Sequence, residues 1–400
     1  MPRFPGMYQW NDTLAKRFPH LSKPVARCLA LWTLGMIIAR SCALTAVAAA
    51  LGPLLTLKFD TVRERLRDLY REAAAKKGRR RCELDLSICW DPWLAWVLEG
   101  RQSKQLALAL DATNLGEQFT VLALSVLYRG CAVPVAWKIL KANQKHAWKP
   151  EWISLLGHFR QRVPTDWTVI VLTDRGLYAK WLFEAITNLG WHPLMRISSQ
   201  HAYYRPQGHY HWSLLSGLIT SVGQRWQGRV SLFPTPPNQL ECTLLAYWGE
   251  GHEQPWVVVS DLPPEAANVC WYGMRAWIEQ GFKRIKRGGW QWQYTRMDDP
   301  ARAERLWLAV AIATWWLLSV GGETDEEIAV ETVAAVPHTQ RGSKPRWRLI
   351  AIFRRGWNRI MAALIADHGE LPMGKGRPEP WPDFAPNNDE RPPGVENLQL

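Results

Sequence analysis

The sequence predicts an α/β protein with a mixed sheet and flanking helices. Short apolar runs rich in β-branched and aromatic residues alternate with segments of helical character, and two of these runs end in an aspartate. The resulting order is β-β-β-α-β-α-β, which is typical of an α/β arrangement. In chain order, the segments are LALALDAT (106–113), FTVLALSVLY (119–128), CAVPVAWKIL (131–140), a helix at 149–162, TVIVLTD (168–174), a helix at 176–189 and HPLMRIS (192–198).

The second and third apolar runs are separated only by Arg129 and Gly130. A two-residue break that contains glycine favours a tight turn between antiparallel strands. These two runs are therefore predicted to form a β-hairpin.

Two apolar stretches are predicted to be buried helices rather than membrane spans. Residues 25–57 are interrupted by Arg27, Arg40 and the Gly52-Pro53 break. Residues 306–320 fall short of the roughly 20 residues that a bilayer requires. We expect no membrane partner.

Changes in composition predict six parts of the chain. Residues 200–262 are rich in Gly, Pro, Tyr and Trp with short β-type runs, whereas the chain after Pro372 is polar and Pro-rich. The predicted parts are a helical N-terminal region (1–100), the first part of an α/β core (101–199), a β-rich insertion subdomain (200–262), the second part of that core (263–325), a C-terminal helical region (326–371) and a disordered tail (372–400).

The chain is strongly basic, with a formal net charge of +13 and a pI near 9.5. Such an excess indicates a polyanionic partner, nucleic acid or an anionic membrane surface, although a basic but ordinary enzyme is equally compatible with the charge. The basic run within 63–81 is either a solvated face or a phosphate-contacting segment. The seven cysteines include no CxxC pair, which indicates reduced thiols, and no apolar leader opens the chain, so we expect a cytoplasmic protein.

Two aspartates, Asp111 and Asp174, each end an apolar strand-like run. Ligands of open α/β sheets bind at the carboxyl ends of strands. Neighbouring carboxylates repel each other unless a cation neutralises them, and hard oxygen ligands suit Mg²⁺ or Mn²⁺. The alternative is that each aspartate is an ordinary turn residue at the end of a strand.

The segment WYGMRAWIEQGFKRIKRG (271–288) carries a carboxylate among cations and a tyrosine. On an α-helix with about 100° per residue, its polar side chains fall within roughly 80° of one another. Glu279 on this stripe would bind metal while its neighbours grip a DNA backbone. The alternative is a solvated face with i,i+4 ion pairs. The members of the stripe are Tyr272, Arg275, Glu279, Lys283 and Lys286.

The pattern Y-x2-R-x3-E-x6-K at Tyr272, Arg275, Glu279 and Lys286 resembles the YREK signature of DDE transposases from bacterial insertion sequences, in the group called insertion sequence family four. ALDAT around Asp111 and VLTDRGLY (171–178) resemble the strands that carry the first and second aspartates of that family. The resemblance covers about residues 100–320.

This resemblance implies a ribonuclease-H-like catalytic domain in which Asp111, Asp174 and Glu279 bind two Mg²⁺ ions, with Mn²⁺ as a substitute. It implies cut-and-paste transposition through a DNA hairpin, acting on terminal inverted repeats and target DNA as a homodimer. Tyr272, Arg275 and Lys286 would hold the phosphates of the transferred end. A bacterial protein associated with the nucleoid is expected.

The resemblance also implies a tryptophan of the insertion that stacks on a flipped base. Trp248 and Trp256 are the candidates, and spacing does not choose between them and Trp212 or Trp226. Arg196, after the strand that follows Asp174, is expected near the DNA. Packing or surface contacts are the alternative for all of them.

Two other readings stay open at this point. One is a structure-specific nuclease on the same fold, and the other is a catalytically silent copy that only binds DNA. Glu184 is a weaker competitor for the third carboxylate, because it lacks the cationic neighbours of Glu279.

Overall fold

The computed structural model describes residues 5–76, 81–101, 103–142, 148–160, 162–335, 350–366 and 370–383. Within these residues, ten strands form one mixed sheet and helices flank it. The predicted α/β class, with a mixed sheet and an all-helical N-terminal region, is confirmed. Residues 77–80 of the basic run lie outside the described residues.

The strands and helices alternate in the predicted order through the first half of the sheet. The strands are β1 (Gln105–Leu115), β2 (Phe119–Tyr128), β3 (Cys131–Lys141), β4 (Thr168–Thr173), β5 (His192–Arg196), β6 (Tyr203–Pro206), β7 (Ser213–Leu214), β8 (Arg225–Leu232), β9 (Leu240–Tyr247) and β10 (Trp256–Ser260). The helices are α1 (Pro5–Arg17), α2 (Lys23–Ala39), α3 (Leu44–Leu55), α4 (Phe59–Arg67), α5 (Trp90–Leu98), α6 (Trp148–Gly157), α7 (Lys180–Thr187), α8 (Ala276–Lys283), α9 (Pro300–Ala335) and α10 (Ile352–Ala366).

The sheet order is β3-β2-β1-β4-β5-β10-β9-β8-β6-β7. β2 pairs antiparallel with both β1 and β3, and the turn at Arg129 and Gly130 has positive φ at both residues, as a tight hairpin turn requires. β1, β4 and β5 are mutually parallel, so their carboxyl ends meet at one edge. This is the arrangement expected of a ribonuclease-H-like domain.

The strands of the insertion extend this sheet instead of forming a sheet of their own. β10 pairs antiparallel with β5, and β9, β8 and β6 continue outward from it. The segment predicted as a subdomain at 200–262 is therefore a continuation of the core sheet. The six predicted boundaries stay a prediction.

Helix α9 is the apolar centre of the helical layer. It is long and apolar enough to cross a membrane, but 94% of its apolar window is buried inside the protein. Its side chains pack on β3, α2 and α10, and Trp307 and Trp316 are completely or almost completely buried. Residues 306–320 are a core helix, as predicted.

The segment after β10 is not one regular α-helix. Val269–Arg275 is a 3₁₀-helix, α8 follows it, and Arg284–Gly288 is a π-helical turn. The prediction of a single α-helical stripe from Tyr272 to Lys286 was wrong, because the rotation per residue differs among the three helix types. Tyr272 and Arg275 precede the α-helix, and Lys286 follows it.

The prediction that the whole chain after Pro372 is disordered was also wrong. Residues 370–383 lie on the domain surface, where the Pro372 carbonyl accepts a hydrogen bond from the Trp316 indole at 2.7 Å. The Arg377 carbonyl accepts one from Arg129, and Trp381 packs edge-on against Trp271. Proline-rich composition did not reveal these contacts, and residues 384–400 lie outside the described residues.

The crossing of α9 and α10 depends on two glycines. A Cβ built at Gly356 would lie 1.8 Å from the Leu317 carbonyl oxygen, and one at Gly321 would lie 2.0 Å from the Ile352 oxygen. No side chain fits there without moving the helices apart.

We expect Gly356→Ala to destabilise the protein by about 3 kcal/mol or more, because overpacking must separate two backbones. The urea midpoint measures this. Gly157→Ala is the control: a Cβ there meets nothing within 4 Å, so its midpoint should be unchanged or slightly higher. Equal midpoints for both variants would contradict the proposed role of the crossing.

Candidate active site

Asp111 and Asp174 lie side by side because of strand pairing. In the parallel pair β1 and β4, Leu110 is in register with Thr173, and an aspartate follows each of them. Asp174 directly follows β4, as predicted. The prediction that Asp111 ends its strand was wrong, because β1 continues to Leu115 through its pairing with β2. The Asp111 carboxylate accepts a hydrogen bond from the Ala112 amide at 2.8 Å. The Asp174 carboxylate accepts one from the Leu177 amide at 3.0 Å and caps a 3₁₀ turn.

Arg275 bridges all three predicted carboxylates. Its Nη2 lies 3.0 Å from Asp111 Oδ2 and 3.7 Å from Asp174 Oδ2, and its Nη1 lies 3.1 Å from Glu279 Oε1. The Arg275 side chain is 9% exposed, so this guanidinium is shielded from water. The Arg275–Asp111 pair is weakly screened because both side chains are largely buried, whereas solvent screens the more exposed Asp174 and Glu279. The guanidinium offsets the repulsion among the carboxylates.

The three carboxylates differ sharply in exposure. The Asp111 side chain is 14% exposed, that of Asp174 43% and that of Glu279 64%. Helix α8 packs on the sheet with Ile278 and Phe282 buried, while Glu279 stays exposed. The site therefore has a fixed, buried side on the sheet and an open side on α8.

Tyr272 and Lys286 connect the helical segment to the two strands. The Tyr272 hydroxyl donates to the Thr173 carbonyl at 3.3 Å, directly before Asp174. The Lys286 ammonium donates to the Thr113 hydroxyl at 2.6 Å, two residues after Asp111. These contacts hold the segment across the carboxyl ends of β1 and β4.

Beside the carboxylates is an open cavity of about 740 Å³. Arg196, at the end of β5, and Trp256, at the start of β10, both line it. Trp256 packs edge-on against Tyr272, and its face stacks on His252 at 4.4 Å between ring centroids. The cavity is lined by Asp174, Arg175, Gly176, Arg196, His252, Glu253, Gln254, Trp256, Tyr272, Gly273, Arg275, Ala276 and Glu279.

The structure distinguishes among the four tryptophan candidates, which their spacing in the sequence could not do. Trp256 lines the cavity, whereas Trp248 is half-buried and its indole donates to the His252 carbonyl at 2.9 Å. Trp226 packs against Tyr204, and the ring of Trp212 lies under Arg205. None of these three is among the residues that line the cavity.

One predicted DNA-binding residue does not line the cavity, and two residues that line it were not predicted. Lys283 is exposed on the last turn of α8 and is not among the residues that line the cavity. Sequence reasoning missed His252 and Gln254, because both lie on a polar loop without a motif. The only available signal was that this loop, 249–255, directly precedes the strand run that begins at Trp256.

Burial shifts the pKa of several groups at the site. Burial raises the pKa of Asp111 to about 6, against the opposing effect of the Arg275 cation, and the Asp174 charge adds to the rise. Burial raises the pKa of Tyr272 to about 12. Burial lowers the pKa of Lys286, and the Asp111 carboxylate partly offsets this. A proton or a cation would stabilise Asp111 in this environment.

The donor set suits a hard divalent cation, since it consists of carboxylate oxygens. In the described part of the chain, however, no group of three His, Cys, Asp or Glu side chains already has metal-ligand spacing. Arg275 lies among the three carboxylates where direct coordination would require them to converge. The residues fit a divalent cation chemically, and binding would require the guanidinium to move aside.

Three carboxylates at the carboxyl edge of a mixed sheet are the kind of site that serves metal-assisted phosphoryl transfer. Residues 116–316 match the family model described as "Transposase DDE domain", a span of half the chain. The chain belongs to this transposase DDE family. Membership assigns it to DNA transposition and implies an enzyme that cuts and joins DNA strands. The matched span contains Asp174 and Glu279 and begins after Asp111.

Other comparisons add little. Among solved structures, one titled "Cryo-EM structure of piggyBac transposase synaptic complex with hairpin DNA" aligns with 88% of this chain and 75% of its own, at 8% identity and a TM-score of 0.40. A likeness of that size supports no argument about this chain. No curated protein sequence matches it.

The raised pKa of Asp111 predicts how the free energy of unfolding depends on pH. The folded protein holds this proton up to a pH of about 6, whereas the ordinary pKa is 3.8. The unfolded chain therefore deprotonates first, and the wild type loses stability as the pH rises from about 4 to about 6. In EDTA, the stability of Asp111→Asn relative to wild type should rise across this window by up to roughly 3 kcal/mol and then level off.

Urea denaturation at a series of pH values measures this difference. Asp166→Asn is a control with the opposite pH dependence, because a hydrogen bond from Lys104 lowers the pKa of the exposed Asp166. Its contribution to stability is present at neutral pH and is lost as the pH falls. A stability difference for Asp111→Asn that does not change between pH 4 and pH 7 would rule out the raised pKa.

Proposed function

We propose that this chain is the cut-and-paste transposase of a bacterial insertion sequence, of the group called insertion sequence family four. The observation that carries the proposal is the joint approach of Asp111, Asp174 and Glu279 to Arg275, where the parallel pairing of β1 with β4 ends. The four-position match to the YREK signature supports the same assignment. We propose a cytoplasmic protein that acts at the DNA.

Asp111, Asp174 and Glu279 would hold the divalent cations, Mg²⁺ or Mn²⁺. When bound, such ions activate an attacking oxygen and stabilise the leaving oxygen in phosphodiester chemistry. The sheet fixes the two aspartates in register, while Glu279 is on the exposed side of α8. The ligand with the most freedom to adjust is therefore Glu279.

Arg275 would have two partners in turn. Without DNA it neutralises the carboxylates, and on cation binding its guanidinium becomes available for a DNA phosphate, which it can bind through two parallel hydrogen bonds. Lys286 and Arg196 would add positive charge on either side of it. Tyr272 would hold Arg275 and Asp174 in place through its contact with β4.

Trp256 is the proposed platform for an unstacked base. Its ring lines the cavity beside Glu279 and Tyr272, and base stacking on such a ring is worth about 1–3 kcal/mol. His252 covers the Trp256 face, and neither of its ring nitrogens has a hydrogen-bond partner. Moving His252 aside would therefore break no hydrogen bond of its ring.

The proposed reaction has three parts. Hydrolysis at the end of the element frees a 3′-hydroxyl, which attacks the opposite strand to form a hairpin and cut the flanking DNA away. Water then opens the hairpin, and the regenerated 3′-hydroxyl attacks a phosphodiester of target DNA. Two copies of the chain, each bound to one terminal repeat, would act together. The helical N-terminal region and the basic run would bind the repeats.

The cation site can be tested without DNA. We expect Arg275→Ala to lower the thermal midpoint in EDTA, because three carboxylates lose their cation. We also expect it to bind Mn²⁺ about tenfold more tightly than wild type, since a competing charge worth roughly 1.4 kcal/mol is gone. Isothermal titration with Mn²⁺ measures this affinity.

Arg17→Ala is the matched control, because it removes an arginine that pairs with Glu99 away from the site. Its Mn²⁺ affinity should equal that of wild type. Unchanged or weaker Mn²⁺ binding by Arg275→Ala would show that the guanidinium does not occupy the cation position.

The catalytic assignment is tested with labelled duplex DNA that carries the terminal repeat, in Mg²⁺ or EDTA. Glu279→Gln should still bind the repeat but lose cleavage by roughly 10³-fold or more, because residues that act as a unit fail together. Glu184→Gln is the control, since this glutamate is 55% exposed on α7 and, among the described residues, its carboxylate pairs with Lys180. It should cleave like wild type and give the hairpin product.

The same experiment separates the alternative functions. Metal-dependent nicking without hairpin formation or strand transfer would indicate a structure-specific nuclease. Binding without cleavage under every metal condition would indicate a catalytically silent DNA-binding copy. Loss of cleavage in Glu184→Gln but not in Glu279→Gln would overturn the assignment of the third carboxylate.

A further inference from the structure

A second cavity, of about 800 Å³, lies between the N-terminal helices and the segment that follows the catalytic helix. One wall is the start of α3 together with α4, and the other is the stretch from Gln291 to Arg302. The Cys42 amide donates to the Trp290 carbonyl at 2.7 Å and so joins the two walls. We call this cavity the arginine groove.

The arginine groove is lined by five arginines and two aspartates, so cationic side chains outnumber anionic ones in its lining. Asp299 uses a carboxylate oxygen to accept from the Arg302 amide at the start of α9. The N-cap residue of α3 is Ala43, whose side chain cannot accept a hydrogen bond from the first amides of the helix. The start of α3 therefore adds partial positive charge to the same wall. The charged residues are Arg63, Arg67, Arg71, Arg296, Arg302, Asp298 and Asp299.

Three of these arginines are already used by the protein. Arg67 and Arg71 both pair with Glu64, at 2.8 and 2.9 Å. Arg302 forms a two-point contact with Glu72, at 2.9 and 2.8 Å. These ion pairs stabilise the walls of the groove and largely neutralise the charges of the three arginines.

Arg63 and Arg296 are different. Among the described residues, neither has a carboxylate partner within ion-pair distance, and they lie on opposite walls. Arg296 is exposed and has a φ of 53°, a strained conformation for a residue with a side chain. Asp298 and Asp299 line the same cavity, but neither is within ion-pair distance of these two guanidinium groups, which can therefore bind an anion.

We propose that the arginine groove binds the sugar–phosphate backbone of duplex DNA, outside the catalytic cavity, with Arg63 and Arg296 as its phosphate contacts. This inference rests on the proposed function and adds a second point of contact to it. The occupant is a duplex because single-strand grooves present successive aromatic rings, and here the one strongly exposed ring on the wall is Tyr294. Contacts of this kind position DNA without reading its sequence.

The position of the arginine groove fits this role. Its second wall begins shortly after the π-helical turn that carries Lys286, which contacts β1 beside Asp111. Its first wall is α4, where the basic run begins. A duplex held in the groove would therefore contact both the helical region and the segment that follows the catalytic helix.

The test is binding of the full chain to duplex DNA of random sequence, several helical turns long, over a series of NaCl concentrations in EDTA. The double variant Arg63→Ala/Arg296→Ala should reduce the salt slope by about 2 and the affinity by roughly 50-fold near 0.1 M salt, because two phosphate contacts are lost. Arg160→Ala, which removes an exposed arginine outside the groove, should change neither. The pair Arg63→Gln/Arg296→Gln repeats the test if the alanine variant folds poorly.

The outcomes separate the groove from the proposed function. If wild type binds and the double variant has the same affinity and salt slope, the arginine groove is not a DNA site, and the catalytic proposal stands. If wild type binds no DNA at all, the proposed function itself fails. Preferential binding of single strands that Tyr294→Ala weakens would overturn the duplex as the occupant.

Discussion

The site depends on one electrostatic constraint: three carboxylates converge at the edge of a sheet, and a cation must accompany them. Arg275 is that cation in the protein alone, and it reaches all three from the end of a 3₁₀-helix. The backbone at Arg275 is held in place because Tyr272, in the same segment, is bonded to β4, whereas the guanidinium can move on the side-chain torsions. A change in the charge at this point must therefore affect the protonation of Asp111, the helical segment and the binding of any competing cation.

The same constraint explains why the three carboxylates lie on different kinds of element. Asp111 and Asp174 are set by the register of parallel strands, which permits almost no independent movement. Glu279 is on α8, which approaches β3 so closely that a Cβ at Gly281 would lie 3.0 Å from the Ala132 carbonyl oxygen. The helix axis is therefore fixed against the sheet, while the exposed Glu279 side chain keeps its rotamer freedom. In the proposed function, where the site accepts a cation and then a DNA strand, one adjustable ligand would serve both steps.

The sequence predicted the features of the site that depend on residues close together in the chain, and it missed those that depend on tertiary contacts. Apolar runs and a Gly-containing turn specified the strands and their order, because strand periodicity and hairpin chemistry are local. The register that brings Asp111 beside Asp174 was inferred only from both residues ending a run. The 3₁₀–α–π succession was missed, because one rotation per residue was assumed for the whole segment. The bonds of Tyr272 and Lys286 to two different strands are tertiary contacts that no local pattern predicts. Tertiary packing also decided what composition did not: the chain near Pro372 lies on the domain, and Trp256 rather than Trp248 lines the cavity.

The continuity of the sheet limits which parts of the protein can move during the reaction. β10 pairs with β5 so that Val258 lies opposite Arg196, and Trp256 begins the same strand. The proposed base platform is thus held in the same hydrogen-bonded sheet as Asp111 and Asp174, and the insertion does not hinge as a separate lid. Movement must then occur in the parts of the site that lie outside the hydrogen-bonded sheet. These are the loop that carries His252, which has positive φ at Gly251, and the side chains of Arg275 and Glu279. The sheet provides a rigid frame, and adaptation to cation and DNA is left to side chains and one loop.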